Sequence, residues 1–268
     1  DMRADCWEPR SADDVCVEDM RLLNAAIHAG KIMGPDIAVM SSAPVEGVRY
    51  REEERRAGEP AFYYPETEEE GRALAHYVKD RGVDLVKTYN SIPPAAYHGL
   101  LDEAAKLDLA VGGHVPQAID VVTASDLGNE TIEHGRAILY DCSTYGPEYR
   151  LAMARVARME EGAIAPDNKE RMEKTLDGFD LGLCSDVLTK LAKKGVWYVP
   201  THKTREMDAR ASDPSYRANP NIKYISAAVR EYWLRDLDDT AAADPEVKAL
   251  YQRFFDHGLM VTGMAHKA

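Results

Sequence analysis

The chain has 268 residues, 45% of them hydrophobic and 29% charged, with a formal net charge of −13. That length and balance fit a folded globular protein and exclude a disordered or fibrous one. The acidic surplus, without any basic cluster interleaved with aromatics, argues against a nucleic-acid partner, and no run of about 18 apolar residues could cross a bilayer as a helix.

Residues 1–10 read as polar and irregular. Residues 14–29 place Val15, Met20, Leu23, Ala26 and Ile27 at helical spacing and stop at Gly30. His28 falls in the last turn, where a cation suits the helix dipole. Residues 37–40 follow the Gly34-Pro35 turn as a short buried strand. Residues 48–65 form a charged loop with an aromatic end, either a solvated surface or a βα-loop insertion over a site. Residues 67–81 are a helix capped by Thr67, acidic in its first turn and ended by Gly82. His76 and His98 fall within helices, away from strand ends.

Residues 83–135 carry the strongest pattern. Three short apolar runs, 83–86, 109–111 and 131–132, are separated by helical patterns at 93–106 and 117–125. Short apolar runs alternating with helices are the signature of parallel strands in βαβ units. Each run is followed by a residue suited to metal chemistry: Lys87, His114 and His134. In a barrel the C-terminal strand ends face one mouth, so the three would converge. Further helices are expected at 147–160, 168–176 and 185–194. A strand at 196–200 ends in Thr201-His202-Lys203, and helices follow at 222–237 and 245–259. This alternation predicts an α/β barrel forming a single domain over residues 1–268, with five or six of the eight strands that closure requires.

Imidazole is the commonest metal ligand, and two at adjacent strand ends can share one zinc-type ion. Lys87 repels a metal as an ammonium. It becomes a ligand only as a carbamate formed with CO2, whereas a snorkelling lysine or a cation orienting substrate explains the same spacing. Tyr89 can hydrogen-bond a substrate carbonyl or pack against the next strand. His202 can contact substrate or serve the structure. Cys6, Cys16, Cys142 and Cys184 show no C-x-x-C spacing and are expected to be free, mostly buried thiols. The chain opens at Asp1-Met2-Arg3, so any signal peptide would stand upstream and the compartment is left open.

V-D-L-V-K-T-Y (83–89), V-G-G-H-V-P (111–116) and T-I-E-H-G (131–135) resemble the amidohydrolase superfamily, in particular its imidazolonepropionase-like and prolidase-like branch. K-I-M-G-P-D-I-A-V-M-S-S-A (31–43) resembles the same branch, although Asp36 stands where Arg is common. The resemblance covers residues 1–201 in outline. It implies a (β/α)8 TIM-type barrel holding one or two divalent metals, zinc first. Lys87 matches the carboxylated lysine that bridges the ions, carrying a CO2-derived carbamate, and His114 and His134 match ligands of the second metal. A metal-activated water would then cleave an amide bond in a small-molecule or short-peptide substrate, peptide-like or cyclic. Two departures stand out. The family's first-strand H-x-H is absent, and the last-strand Asp that relays the proton would lie beyond Ala268. The expectation is therefore a barrel incomplete at both ends, its first and last strands missing, inactive as given and prone to homo-oligomerise through open sheet edges. Two alternatives remain: a non-catalytic amidohydrolase-like binding or scaffold protein, and a barrel enzyme using Lys87 as a Schiff-base nucleophile.

Overall fold

The computed structural model describes residues 2–5, 16–47 and 62–268. At its centre is a parallel sheet in the order β1 (Met2–Asp5), β2 (Ile37–Ser41), β3 (Leu85–Thr88), β4 (Ala110–Gly113), β5 (Thr131–Glu133) and β6 (Trp197–Val199). Every neighbouring pair is parallel. The helices preceding β6 are α1 (Cys16–His28), α2 (Glu68–Asp80), α3 (Pro94–Lys106), α4 (Val121–Asp126), α5 (Arg136–Asp141), α6 (Gly146–Ala157), α7 (Asn168–Asp177) and α8 (Leu181–Lys194). After β6 follow α9 (His202–Arg210), α10 (Pro214–Arg217), a 3-10 turn (Pro220–Tyr224), α11 (Ala227–Ala241) and α12 (Pro245–Ala265). Strands added one beside the next through helical crossovers are compatible with part of a TIM-type barrel. The described sheet counts six strands where a closed barrel counts eight.

Local sequence explains the better-formed units. Thr67 caps α2 by accepting from the Glu70 amide at 3.2 Å, while the Glu70 carboxylate accepts from the Thr67 amide, a reciprocal capping box. Gly71 and Gly99 let α2 and α3 cross closely, because a Cβ on either would strike a backbone carbonyl of the other helix. β3 is buried at all four positions, as a parallel strand covered on both faces must be. One apolar cluster joins Val86, Val111 and Ile132 of the sheet to Leu100, Leu139 and Leu188 of the helices, and to Phe254 and Val261 of α12.

A buried ion pair fastens the lower part of this cluster. The Arg150 guanidinium donates to both Asp141 oxygens, at 2.9 and 2.8 Å, and to the carbonyls of Gln117 and Ala137 at 3.1 Å. Asp141 also accepts from the Val121 amide at 2.7 Å, so the carboxylate at the end of α5 ties the start of α4 to Arg150 of α6. Burial pushes the Asp141 carboxyl up, against the pull of Arg150.

Several expectations are corrected. Residues 2–5 are not irregular: they pair with β2, with Met2 opposite Ile37, because the sheet supplies the bonds that a polar run cannot supply itself. α8 begins at Leu181, ahead of residue 185, since Asp180 accepts from the Leu183 amide at 2.7 Å and starts the helix there. Residues 222–226 are not part of α11, whose cap is Ser226, and α12 runs on to Ala265. α5, α9 and α10 stand where the sequence pattern marks no helix. Most of the charged loop, residues 48–61, lies outside the described residues.

The thiol expectation also fails. Cys142 and Cys184 form a disulfide, with Cα atoms 4.2 Å apart across 42 residues of sequence. Both are fully buried, where the end of α5 meets α8. Long separation without a motif is why spacing gave no sign of it. The side chains of Cys6 and Cys16 lie outside the described residues. β6 is an edge of the described sheet, and its Trp197 is 73% exposed.

Candidate active site

The C-terminal ends of β3, β4 and β5 meet at one cavity of about 280 Å³, lined by Tyr89, Asn90, His114, Glu133 and His134 among others. Lys87 lies just behind its wall, 4% exposed, and its ammonium donates to Glu133, itself 9% exposed. The two strands are not neighbours, since β4 runs between them. Gly113 helps to clear the reach, since a Cβ there would sit 3.1 Å from the lysine stem, while one on Gly112, level with Lys87, would strike the Thr131 hydroxyl. Gly113 also has φ +126, a conformation open to glycine and costly for other residues.

His114 follows directly. Its amide donates to the Thr88 carbonyl at 3.0 Å and its own carbonyl accepts from the Thr88 hydroxyl at 2.8 Å, fixing the backbone. The Nδ1 lies 2.9 Å from the Asn90 Oδ1, and that carbonyl assigns the proton to Nδ1. Nε2 then carries the lone pair; it is buried and has no hydrogen-bond partner among the described residues. Asn90 is itself held, because the buried Glu46 carboxylate accepts from the amides of Asn90 and Ser91 at 3.4 and 2.6 Å. The Tyr89 ring stacks on His114 with centroids 4.1 Å apart.

His134 meets the His114 ring edge to face at 4.6 Å. Its backbone is left-handed, φ 61, a strained choice for a residue with a side chain and one that clusters at functional positions. Its Nδ1 lies 3.1 Å from the Thr201 hydroxyl, which donates onward to the Val199 carbonyl at 3.4 Å, so Nδ1 again takes the proton. Its Nε2 is 4.0 Å from Glu133. Burial, then the His134 and Lys87 charges, pushes His114 down to about 3; burial and Lys87 lower His134 as well. Both rings are thus neutral at neutral pH, the form in which imidazole binds metal.

The depressed value has a measurable consequence. The unfolded chain takes up a proton on His114 near pH 6.5 and the folded chain only near 3, so the stability from the neutral ring is present above pH 6.5 and is lost as pH falls below it. Between pH 7 and 4.5 the metal-free protein is expected to lose about 2–3 kcal/mol through this group. Urea unfolding of the parent and of His114→Asn at both pH values checks this; equal pH slopes would refute it.

Of the five residues singled out in the sequence, the structure brings Lys87, Tyr89, His114 and His134 together. His202 stands apart: Thr201 is left-handed, φ 48, and turns the chain into α9, where the His202 Nε2 lies 2.8 Å from the Thr262 hydroxyl on α12. Three further residues escaped notice. Glu133 sits inside the T-I-E-H-G run, and a lysine buried two strands away is the signal that a counter-charge must be near. Asn90 and Arg205 left no such trace. Arg205 is 2% exposed and donates to the His134 carbonyl. Burial, then the Arg136 charge, pushes it down to about 10, still a cation at neutral pH.

The donor chemistry fits a divalent ion in part. Two neutral imidazoles adjoin, one with an orphaned Nε2. Lys87 is an ion-paired ammonium, and among the described residues no group of three or more His, Cys, Asp or Glu could hold a metal.

No family model matches the sequence, and no curated protein matches it. Solved structures do match, and they are amidohydrolases and prolidase-like proteins. A bottromycin amidohydrolase superposes with a TM-score of 0.58 at 15% identity, over 92% of this chain and 47% of that one. Fainter likenesses are a Xaa-Pro dipeptidase with methionine in its active site (TM-score 0.46, 15% identity, 90% and 49% covered) and the A. niger ochratoxinase (TM-score 0.41, 16% identity, 82% and 45%). At these identities the likeness is one of fold, and it rests on the first. The chain spans about half the length of the first two.

Proposed function

We propose that this chain supplies the metal-binding part of an amidohydrolase-type enzyme that hydrolyses amide bonds in peptide-like or cyclic substrates of about dipeptide size. The observation that carries this reading is the meeting of Lys87, His114 and His134 from three consecutive strand ends, with both rings neutral. The fold shared with the bottromycin amidohydrolase supports it.

His114 and His134 would hold a divalent ion, zinc first, and Lys87 would join them as a carbamate in a binuclear centre. A bound ion supplies a Lewis acid that polarises the amide carbonyl and acidifies water. The chain's own residues prepare the site. Asn90 and Thr201 orient the two rings through Nδ1, and Tyr89 keeps His114 flat. Glu133 holds the Lys87 amine, so carbamate formation requires that pair to open. The same pair favours a second reading, a non-catalytic relative in which Lys87–Glu133 is a permanent structural bond.

Equilibrium dialysis against zinc, cobalt and manganese, followed by elemental analysis, tests the reading. Binding of at least one ion per chain, lost in His114→Ala and His134→Ala, is expected, together with chelator-sensitive dipeptide hydrolysis by the protein that carries this chain. Hydrolysis that survives both substitutions would sink it.

A further inference from the structure

A second, smaller cavity adjoins the first. The two share Arg136, Tyr140 and Arg171, and the smaller one adds Arg205 and Asp208. In a chain with a net charge of −13, three guanidiniums around one space are a local reversal of sign. They are also poorly spent. Arg205 is almost completely buried, and although one of its nitrogens donates to the His134 carbonyl, its Nε and Nη1 have no hydrogen-bond partner among the described residues. Arg171 donates to Asn168 at 2.5 Å, yet its Nε is buried and equally unpartnered. Arg136 is exposed, and the acid it faces across the cavity is Asp208.

Aromatic side chains flank these groups: Arg171 lies 5.8 Å over the Tyr140 ring and beside the Tyr149 hydroxyl, and Arg205 lies 5.5 Å over the Phe254 ring and beside the Tyr198 hydroxyl. Arg150, also on the larger cavity, is excluded because Asp141 and two carbonyls occupy it. Asp208 contributes one negative charge against three positive ones. Buried N–H donors left unpaired are costly, and a planar guanidinium meets a carboxylate through two parallel bonds.

We propose that Arg136, Arg171 and Arg205 form an anion subsite that receives the free carboxylate of the substrate. Arg205 touches the backbone of His134, and an extended residue spans only about 3.5 Å, so the carboxylate would lie one or two residues from an amide carbonyl at the histidines. The substrate class is accordingly dipeptides and N-acyl amino acids, cut next to the carboxyl end. Naming the anion as the substrate's carboxylate rests on the hydrolase reading above; the anion subsite itself does not.

The test compares N-acetyl-L-alanine with the neutral N-acetyl-L-alaninamide by NMR titration at low salt. The acid is expected to bind at least about tenfold more tightly. Inorganic sulfate should compete with the acid and leave the amide untouched. Arg136→Gln and Arg171→Gln should each remove most of the preference without changing the affinity for the amide; thermal melts confirm that both variants fold. Equal binding of acid and amide, or a preference kept in both variants, overturns the subsite even if metal-dependent hydrolysis is found. A preference abolished by the variants, in a protein that hydrolyses nothing with any divalent metal, upholds the subsite and overturns its assignment to a substrate.

Discussion

Lys87→Met is expected to lower the unfolding free energy of the metal-free protein by about 3–5 kcal/mol, because it strands the Glu133 carboxylate in the interior. The loss belongs to the broken pair and only partly to the missing lysine. Replacing both members, Lys87→Met with Glu133→Gln, should therefore recover most of it and leave a protein within about 1–2 kcal/mol of the parent. Urea denaturation of the four proteins in the cycle, with chelator present, gives the coupling energy. A double variant as unstable as the sum of the two singles would mean that Lys87 and Glu133 do not interact. The same four proteins bear on the carbamate, since only those retaining Lys87 can form it.

Arg150→Ala should be as damaging, at about 3–5 kcal/mol, for a different reason. Among the described residues Arg150 is the cation that pairs with Asp141, and Asp141 in turn accepts from the first amide of α4. Removing the guanidinium leaves a carboxyl already pushed up by burial, plus the carbonyls of Gln117 and Ala137 without their donor. Arg150→Lys keeps the charge and loses the fork, so it should fall between the two. If Arg150→Ala unfolds at the same urea concentration as the parent, the cluster is not what holds α4, α5 and α6 in place.

The parallel strands were legible because buried strands write themselves as short apolar runs, and the strand ends were legible because Lys and His stand out against them. Lys87, His114 and His134 are visible one at a time in the sequence, and the order of the sheet brings them together. What could not be read were the side chains that answer them. Glu133 reaches Lys87 across an intervening strand, past Gly113, where a Cβ would crowd the lysine stem. The arginines of the second cavity come from α5, α7 and α9, whose packing no local pattern encodes. His202 misled for a related reason: its position after β6 promised the mouth of the sheet, and a left-handed Thr201 turned it toward α12.

The bond between Cys142 and Cys184 ties the end of α5, which carries Arg136 and Tyr140 into both cavities, to the first turn of α8. Such bonds are kept in oxidising surroundings and lost to glutathione in the cytosol. The choice of host compartment and the omission of thiol reductants during purification thus become experimental variables. A preparation made under reducing conditions would present a loosened wall beside the histidines, and weak ligand binding in it would report its handling history rather than its chemistry.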